Sequence, residues 1–473
     1  MSDDLNDTIV AISTPPGEGG IGIVRMSGTD SFTVAHRIFA RAVKGKKIIR
    51  NIEENFIPRS RRLYYGYILD DDDKELDEVL VSFMPAPHTY TCENVVEINA
   101  HGGIVPLGNI LKQILGMGVR LAEPGEFTKR AFLNGRIDLV QAESVLSITN
   151  AKTERALYSS LQGLKGFLSR EIKEMGEELL SLRAVIEVDA DFPLEDVEAM
   201  DYSPLRERLI KLRDKALSLS CRSTQGRILQ EGLKTVITGK PNVGKSSLYN
   251  YLLQEERAIV TDVPGTTRDL LTSYVNLRGI PLSLMDTAGL RRNGDAVEKI
   301  GMDYSHRAIS GADLIIFMLD LSRDIDEEDI WIFENIPHGE GQNLFIVGNK
   351  TDRGCNVTDN DLKKYFPGKQ IIKTSVVTGT GMEELEEAIV NKVFSGQVGG
   401  EEGALVMAAR QAALVKKLAS TLEDAVSAMA QHLPLDLVAI DLQQAYGHMQ
   451  NLLGEELPAD TLDYIFSKFC IGK

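Results

Sequence analysis

The chain has 473 residues, 43% of them hydrophobic, and a formal net charge of −17, which is length enough for about three domains with apolar cores. No apolar run reaches the ~18 residues that a membrane-crossing helix needs, and the acidic balance excludes a surface coated in basic residues, so contact with nucleic acid has to use a local patch or a partner. Cys92, Cys221, Cys355 and Cys470 are scattered without metal-ligand spacing and read as free thiols of a reducing compartment.

The first residues lack the basic stretch and apolar run of a signal peptide, so a cytoplasmic location is expected. Residues 1 to about 120 read as a separate α/β unit, with Asp70 to Asp73 as an exposed turn. Arg25, Glu97 and His101 stand beside apolar runs there, and each taken alone reads as structural. The Lys- and Arg-rich stretch from Arg37 to Arg62 is one local basic patch, with a solvated surface as the plainer reading. From Leu157, apolar residues recur at helical spacing through Leu161, Leu164, Leu168, Ile172, Met175, Leu179, Leu182 and Ile186. This spacing predicts one long amphipathic helix with no proline until Pro193.

The run Leu233 to Thr238 reads as a buried strand, and a helical pattern opens at Ser247. Between them, Gly239-Lys-Pro-Asn-Val-Gly-Lys-Ser246 fits the phosphate-binding pattern G-x-x-x-x-G-K-[ST] in the strand–loop–helix context that the pattern requires. Backbone N–H groups from Asn242, Val243 and Gly244 through Ser247 can surround phosphates. Lys245 can reach the β- and γ-phosphates, and the Ser246 hydroxyl suits Mg2+.

Further along, Asp286-Thr287-Ala288-Gly289 follows the strand-like run Pro281 to Met285 and suits a Mg2+ water and the γ-phosphate. Thr266 and Thr267 are candidates for the threonine that completes Mg2+ coordination. Asn349-Lys350-Thr351-Asp352 ends the apolar strand Leu344 to Val347. A carboxylate at Asp352 accepts two N–H donors that guanine has and adenine lacks, so the nucleotide is GTP. Ser375, after the strand Gln370 to Lys373, is the candidate base-contacting residue, although Val376 stands where GTPases usually carry Ala.

Ras-type GTPases place a water-orienting Gln directly after the D-x-x-G segment, and here that position is Leu290. Glu298 is a replacement acting through a bridging water, with a solvated carboxylate at a helix start as the equal alternative. The missing positive charge falls either to a monovalent cation held by Asn242 and the loop Thr261 to Thr266, or to Arg268. The Gly-rich stretch Gly396 to Gly403 marks the exit from this α/β region. Helical spacing then returns at Leu414, Leu418, Leu422, Ala425 and Met429. Neither helical part carries a complete core of its own, so one helical domain split by an inserted GTPase domain is expected. The expected domains are 1–120, a first helical part at 121–229, a Ras-like P-loop GTPase domain at 230–392, and a second helical part at 393–473.

Across nearly its whole length the chain resembles the bacterial tRNA modification GTPase family MnmE, also called TrmE. The blocks that carry the likeness are Asp7 to Gly17, Gly20 to Gly28, Tyr90 to Glu97, His101 to Gly103, Glu123 to Asn134, and Cys470-Ile-Gly-Lys473. The resemblance implies an N-terminal α/β tetrahydrofolate-binding and homodimerising domain. Arg25, Glu97, Arg136 and Lys473 match its folate positions, with Arg136 a departure where the family carries Lys. It implies K+ ligands at Asn242, Thr261, Val263 and Thr266 and a water-orienting glutamate at Glu298. It further implies modification of the wobble uridine of certain tRNAs with the partner MnmG (GidA), which uses FAD and NADH. The one-carbon unit comes from 5-formyltetrahydrofolate or methylenetetrahydrofolate, and G-domain pairing activates the GTPase. Cys470 is a candidate nucleophile, against the alternative of a buried cysteine kept for packing. A GTPase switch that binds RNA or ribosomes without covalent chemistry is the competing function, and folate binding separates the two.

Overall fold

The computed structural model describes residues 7–43, 46–47, 59, 62–191, 202–253, 272–285, 309–336, 343–394 and 407–473. It divides into two compact units, Met1–Leu146 with Gln450–Lys473, and Ser147–Met449.

In the first unit, strands β1 (Ile9–Ile12), β2 (Gly19–Ser27), β3 (Phe39–Val43), β4 (Lys46–Lys47), β5 (Leu63–Leu69), β6 (Glu75–Met84), β7 (Val95–Gly102) and β8 (Arg120–Leu121) form one sheet in the order β4-β3-β5-β6-β7-β2-β1-β8. All pairings are antiparallel except β1 with β8. Helices α1 (Ser31–Ile38) and α2 (Ile104–Leu115) supply Val34, Ala35, Ile38, Leu107, Ile110 and Ile114 to a core shared with Val24, Met26, Val81, Phe83, Val96 and Ile98. Side chains alternate across a pleated strand. Burying Val96 and Ile98 therefore turns Glu97 to the other face, opposite Arg25 of β2 in the strand register. The Asp70–Asp73 turn forms as expected, with Asp70 Oδ1 accepting the N–H groups of Asp72 and Lys74. Helix α3 (Glu126–Leu133), the start of α4 (Leu139–Thr149) and the Ala459–Phe466 helix close a second core around Ala131, Leu139, Phe466 and Phe469.

The second unit opens with α5 (Glu154–Leu164), α6 (Phe167–Asp191) and α7 (Ser203–Glu231). The single helix expected from Leu157 is thus two helices. The break falls at Gly166, whose φ of +78° is left-handed and ends α5 with its N–H bonded to the Gly163 carbonyl at 2.9 Å. Leu168, Ile172, Met175, Leu179, Leu182 and Ile186 of α6 are all buried, as the spacing predicts. On α5 the buried face is instead Ala156, Ser159, Ser160 and Gly163, and Leu157 and Leu161 are exposed.

Helices α12 (Ala409–Ala430) and α13 (Leu435–Leu453) come after the α/β region but pack with those before it. Arg213 of α7 pairs with Glu423 of α12, and Gly176 of α6 lies against Tyr446 of α13. One helical domain is therefore interrupted by an inserted α/β domain. Within the insertion, β9 (Leu233–Gly239), β10 (Thr272–Leu277), β11 (Ile280–Met285), β12 (Leu314–Asp320), β13 (Asn343–Asn349) and β14 (Ile371–Lys373) lie in the order β10-β11-β9-β12-β13-β14. Only β10 runs antiparallel. Leu314 to Leu319 of β12 are buried without alternation, as befits a parallel strand covered on both faces. Helices α8 (Lys245–Leu252), α9 (Glu327–Glu334), α10 (Asp359–Tyr365) and α11 (Met382–Val393) complete the layers. Strand order reverses at β9, and ligands of open α/β sheets bind beyond the carboxyl ends of strands at such a point.

Candidate functional site

The phosphate loop leaves the carboxyl end of β9 and feeds directly into α8, so its N–H groups and the helix N-terminus share one concavity. Three residues of the loop take positive φ, Gly239 at +133°, Asn242 at +64° and Gly244 at +111°. Asn pays little for this conformation. At Gly244 a Cβ would stand 2.2 Å from Asn349 Nδ2, so glycine is required on space as well as on dihedral grounds. Val243 is buried. Its carbonyl accepts from Asn349 Nδ2 at 2.8 Å. Lys245 Nζ donates to the carbonyls of Gly239 at 2.7 Å and Lys240 at 2.6 Å, which parks the ammonium across the loop. Ser246 and Ser247 are exposed in the first turn of α8, and Ser246 fits a Mg2+ ligand as a hydroxyl open to solvent.

The base-reading end is assembled from the neighbouring strand ends. Asn349, buried at the end of β13, ties this end to the phosphate loop, because its Oδ1 accepts from Val376 N at 3.1 Å while its amide holds Val243. It is a brace between loops. Lys350 adopts φ +67° and pairs with Asp320 at 2.6 Å. Burial alone would push the Asp320 carboxyl up, but Lys350 and Ser322 outweigh it and hold the group below its ordinary range. Asp352 Oδ1 accepts the Ser375 hydroxyl at 2.6 Å, which leaves Oδ2 for a base. Ser375 is thus joined to Asp352, the candidate base-reading carboxylate, despite Val376 in the place of Ala. This coupling spans 23 residues of sequence and was not readable locally.

Thr261, Val263, Thr266, Thr267, Arg268, Asp286, Thr287, Ala288, Gly289, Leu290 and Glu298 lie outside the described residues, as do most of Arg37 to Arg62 and the Gly396 to Gly403 stretch. Among the described residues, no group of three or more His, Cys, Asp or Glu could hold a metal ion. A Mg2+ site of hydroxyl and phosphate ligands needs none. The four cysteines are free.

In the first unit, Arg25 and Glu97 meet. Arg25 Nε and Nη2 both reach Glu97 Oε1 at 2.8 Å, leaving Oε2 to accept from a ligand N–H, and Nη1 donates to the Gly472 carbonyl at 3.0 Å. Gly472 has φ +89° and a Cβ there would lie 2.6 Å from the Ile12 carbonyl, so the last residues press against the end of β1. Lys473 follows at once, its N–H bonded to the Cys470 carbonyl at 3.3 Å. The Phe127 ring lies beneath the Arg25 guanidinium, 5.7 Å to the centroid. The described contacts of Arg136 are the Tyr90 carbonyl at 2.9 Å and the Tyr90 ring. Cys470 is exposed, which removes the alternative of a buried packing cysteine.

A loop that fits the phosphate-binding pattern between β9 and α8, braced through Asn349 to the loop where Ser375 bonds Asp352, makes this a GTPase of the P-loop class. A family model described as "GTP-binding protein TrmE N-terminus" matches residues 8–136, and one described as "MnmE helical domain" matches residues 139–470. Proteins called tRNA modification GTPase MnmE from Alkaliphilus metalliredigens and Acetivibrio thermocellus are each 45% identical to the chain, over 99% of it and 100% and 99% of their own lengths. That of Bacillus subtilis is 42% identical over 99% of this chain and 100% of its own. The chain belongs to the tRNA modification GTPase MnmE family.

Proposed function

We propose that the chain is the GTP-hydrolysing subunit of a tRNA-modifying complex. Together with MnmG, which carries FAD and uses NADH, it adds a carboxymethylaminomethyl or aminomethyl group to C5 of the wobble uridine of certain tRNAs. A reduced folate supplies the one-carbon unit. In this reading Arg25, Glu97 and Lys473 bind the folate, Glu97 through its free carboxylate oxygen and the basic groups through the ring carbonyl and glutamate tail. Arg136, held against Tyr90, is a further basic group for the folate, and Cys470, a solvent-facing thiol, is a candidate nucleophile. Ser246 and Thr267 hold Mg2+, which neutralises charge on the phosphates. Asn242, Thr261, Val263 and Thr266 hold K+, which supplies the positive charge an arginine finger would otherwise bring, and Glu298 orients the attacking water. The protein works as a cytoplasmic homodimer, with tRNA carried by local patches and by MnmG because the chain as a whole is acidic.

The observation that supports this reading is the convergence of Arg25, Glu97 and the Gly472 carbonyl, drawn from residues 447 positions apart. A GTPase switch without covalent chemistry gives these groups no reason to meet. Calorimetric titration with 5-formyltetrahydrofolate tests it. Binding by the wild type, weakened at least about tenfold in Glu97→Gln by loss of a charge-assisted acceptor, is expected. Absence of binding by the wild type returns the protein to the RNA- or ribosome-binding switch.

A further inference from the structure

Lys240, the second residue of the phosphate loop, is a cation beside a site made for anions, yet its ammonium is turned away to carboxylates of the α9 start. It bonds Asp326, lies 2.9 Å from Glu328 Oε2, and stands 3.8 Å from Asp329 Oδ2. Arg323 braces the same group from the other side, 3.0 Å from both Asp326 Oδ2 and Asp329 Oδ2. Asp326 is also the N-cap of α9, its Oδ1 accepting the N–H groups of Glu328 and Asp329 at 3.0 and 3.1 Å. The Lys240 side chain is buried although Asp326 and Glu328 are largely exposed, so the clamp reaches inward from a solvent-facing rim. The Lys240 carbonyl meanwhile receives Lys245 Nζ, the ammonium that serves the phosphates. One residue therefore fixes the loop by its side chain and parks the phosphate lysine by its backbone.

We infer that Lys240 is a positioning residue for GTP binding. Its clamp with Asp326 and Glu328 holds the base of the phosphate loop in the shape that receives the β- and γ-phosphates. Ordering a backbone residue costs conformational entropy. A loop already ordered spends none of that when the nucleotide arrives, and this is the advantage of pre-organisation. Without the clamp, Lys240 and its neighbours have to be ordered by the nucleotide itself. Burial would lower the Lys240 pKa, but Asp326 and Glu328 outweigh it and raise it, so the ammonium stays charged. Lys240 in turn holds Asp326 down to about 2. The clamp acts on the cradle shared by both nucleotides, so GDP and GTP should lose affinity together, with the loss in KM rather than kcat.

The test uses the full chain and measures GDP and GTP affinity, melting temperature and steady-state hydrolysis. Lys240→Met should weaken both nucleotides about tenfold, and Lys240→Arg should recover most of the loss, as expected of a pre-organising ion pair. Glu328→Gln should cost about two- to threefold alone and nothing further in the Lys240→Met background, since the two share one interaction. A lowered melting temperature with both affinities within twofold of wild type overturns the proposal, because it assigns Lys240 to stability alone. So does a loss confined to GTP. Should Lys240→Met not fold, Glu328→Gln removes only an exposed partner and decides alone: unchanged affinity with unchanged salt dependence overturns the clamp.

Discussion

Replacing Gly244 by alanine presses on the point where the two ends of the nucleotide site are joined. A non-glycine residue in the left-handed region costs about 1–2 kcal/mol. The new methyl would also stand 2.2 Å from Asn349 Nδ2, so Asn349 has to move. Its movement gives up the 2.8 Å bond to the Val243 carbonyl and draws Oδ1 off Val376 N, 3.1 Å away. A buried polar group left unsatisfied costs about 1–3 kcal/mol. Together these give about 2–5 kcal/mol against the binding-competent loop, or roughly 30-fold to several thousand-fold in nucleotide affinity. Titration with a fluorescent GDP analogue measures it, with circular dichroism to show that the fold persists. Adding Asn349→Ala should cost less in the Gly244→Ala background than alone, because the same brace is already broken. A loss below tenfold for Gly244→Ala, or full additivity of the pair, refutes the brace.

Asp352→Asn should erode the preference for GTP over XTP, and competition binding that shows the preference intact sinks the assignment of Asp352 to the base. Gly472→Ala should weaken reduced-folate binding while GDP affinity stays the same, because its Cβ would stand 2.6 Å from the Ile12 carbonyl; unaltered folate affinity would separate the Gly472 carbonyl from that site. His101 is hydrogen-bonded to Asp77 and its pKa is raised by that bond. The stabilisation is therefore fully present below the ordinary histidine range and is lost as pH rises through the raised value. Melting curves of wild type and His101→Gln should differ most at acidic pH and converge at alkaline pH, and a constant difference contradicts the pairing. GTP hydrolysis in K+ should exceed that in Na+ at matched ionic strength, and equal rates return the missing charge to Arg268 or an outside activator.

Much of the G domain was legible because its parallel strands are buried on both faces and read as short apolar runs closed by motif residues. β9, β11, β13 and β14 each lie within a residue or two of the run that announced them. The helical face of α6 was legible for the complementary reason, a long 3.6-residue period with large apolar residues. The break before it was hidden by Gly163 and Gly166, three apart: the first is buried inside α5 and the second ends it, and apolar spacing does not distinguish them. Arg25 and Glu97 were singled out, but their pairing depends on strand register, and the Gly472 contact depends on where the last residues fold back. Lys240 occupies a variable position of the phosphate-loop pattern, and its carboxylates lie 86 and more residues further on. Non-local pairing of this kind leaves no periodic trace in sequence.

The central claim is that GTP hydrolysis by this chain serves a folate-dependent modification of the wobble uridine. It is tested most directly by incubating the purified protein with MnmG, unmodified tRNA, GTP, K+, NADH, glycine or ammonium, and a reduced folate, followed by nucleoside mass spectrometry. The account predicts a carboxymethylaminomethyl or aminomethyl uridine that disappears when GTP is replaced by a non-hydrolysable analogue, when folate is withheld, or in Glu97→Gln. Sustained GTP hydrolysis with unchanged uridine, or modification that needs neither folate nor Glu97, would contradict it.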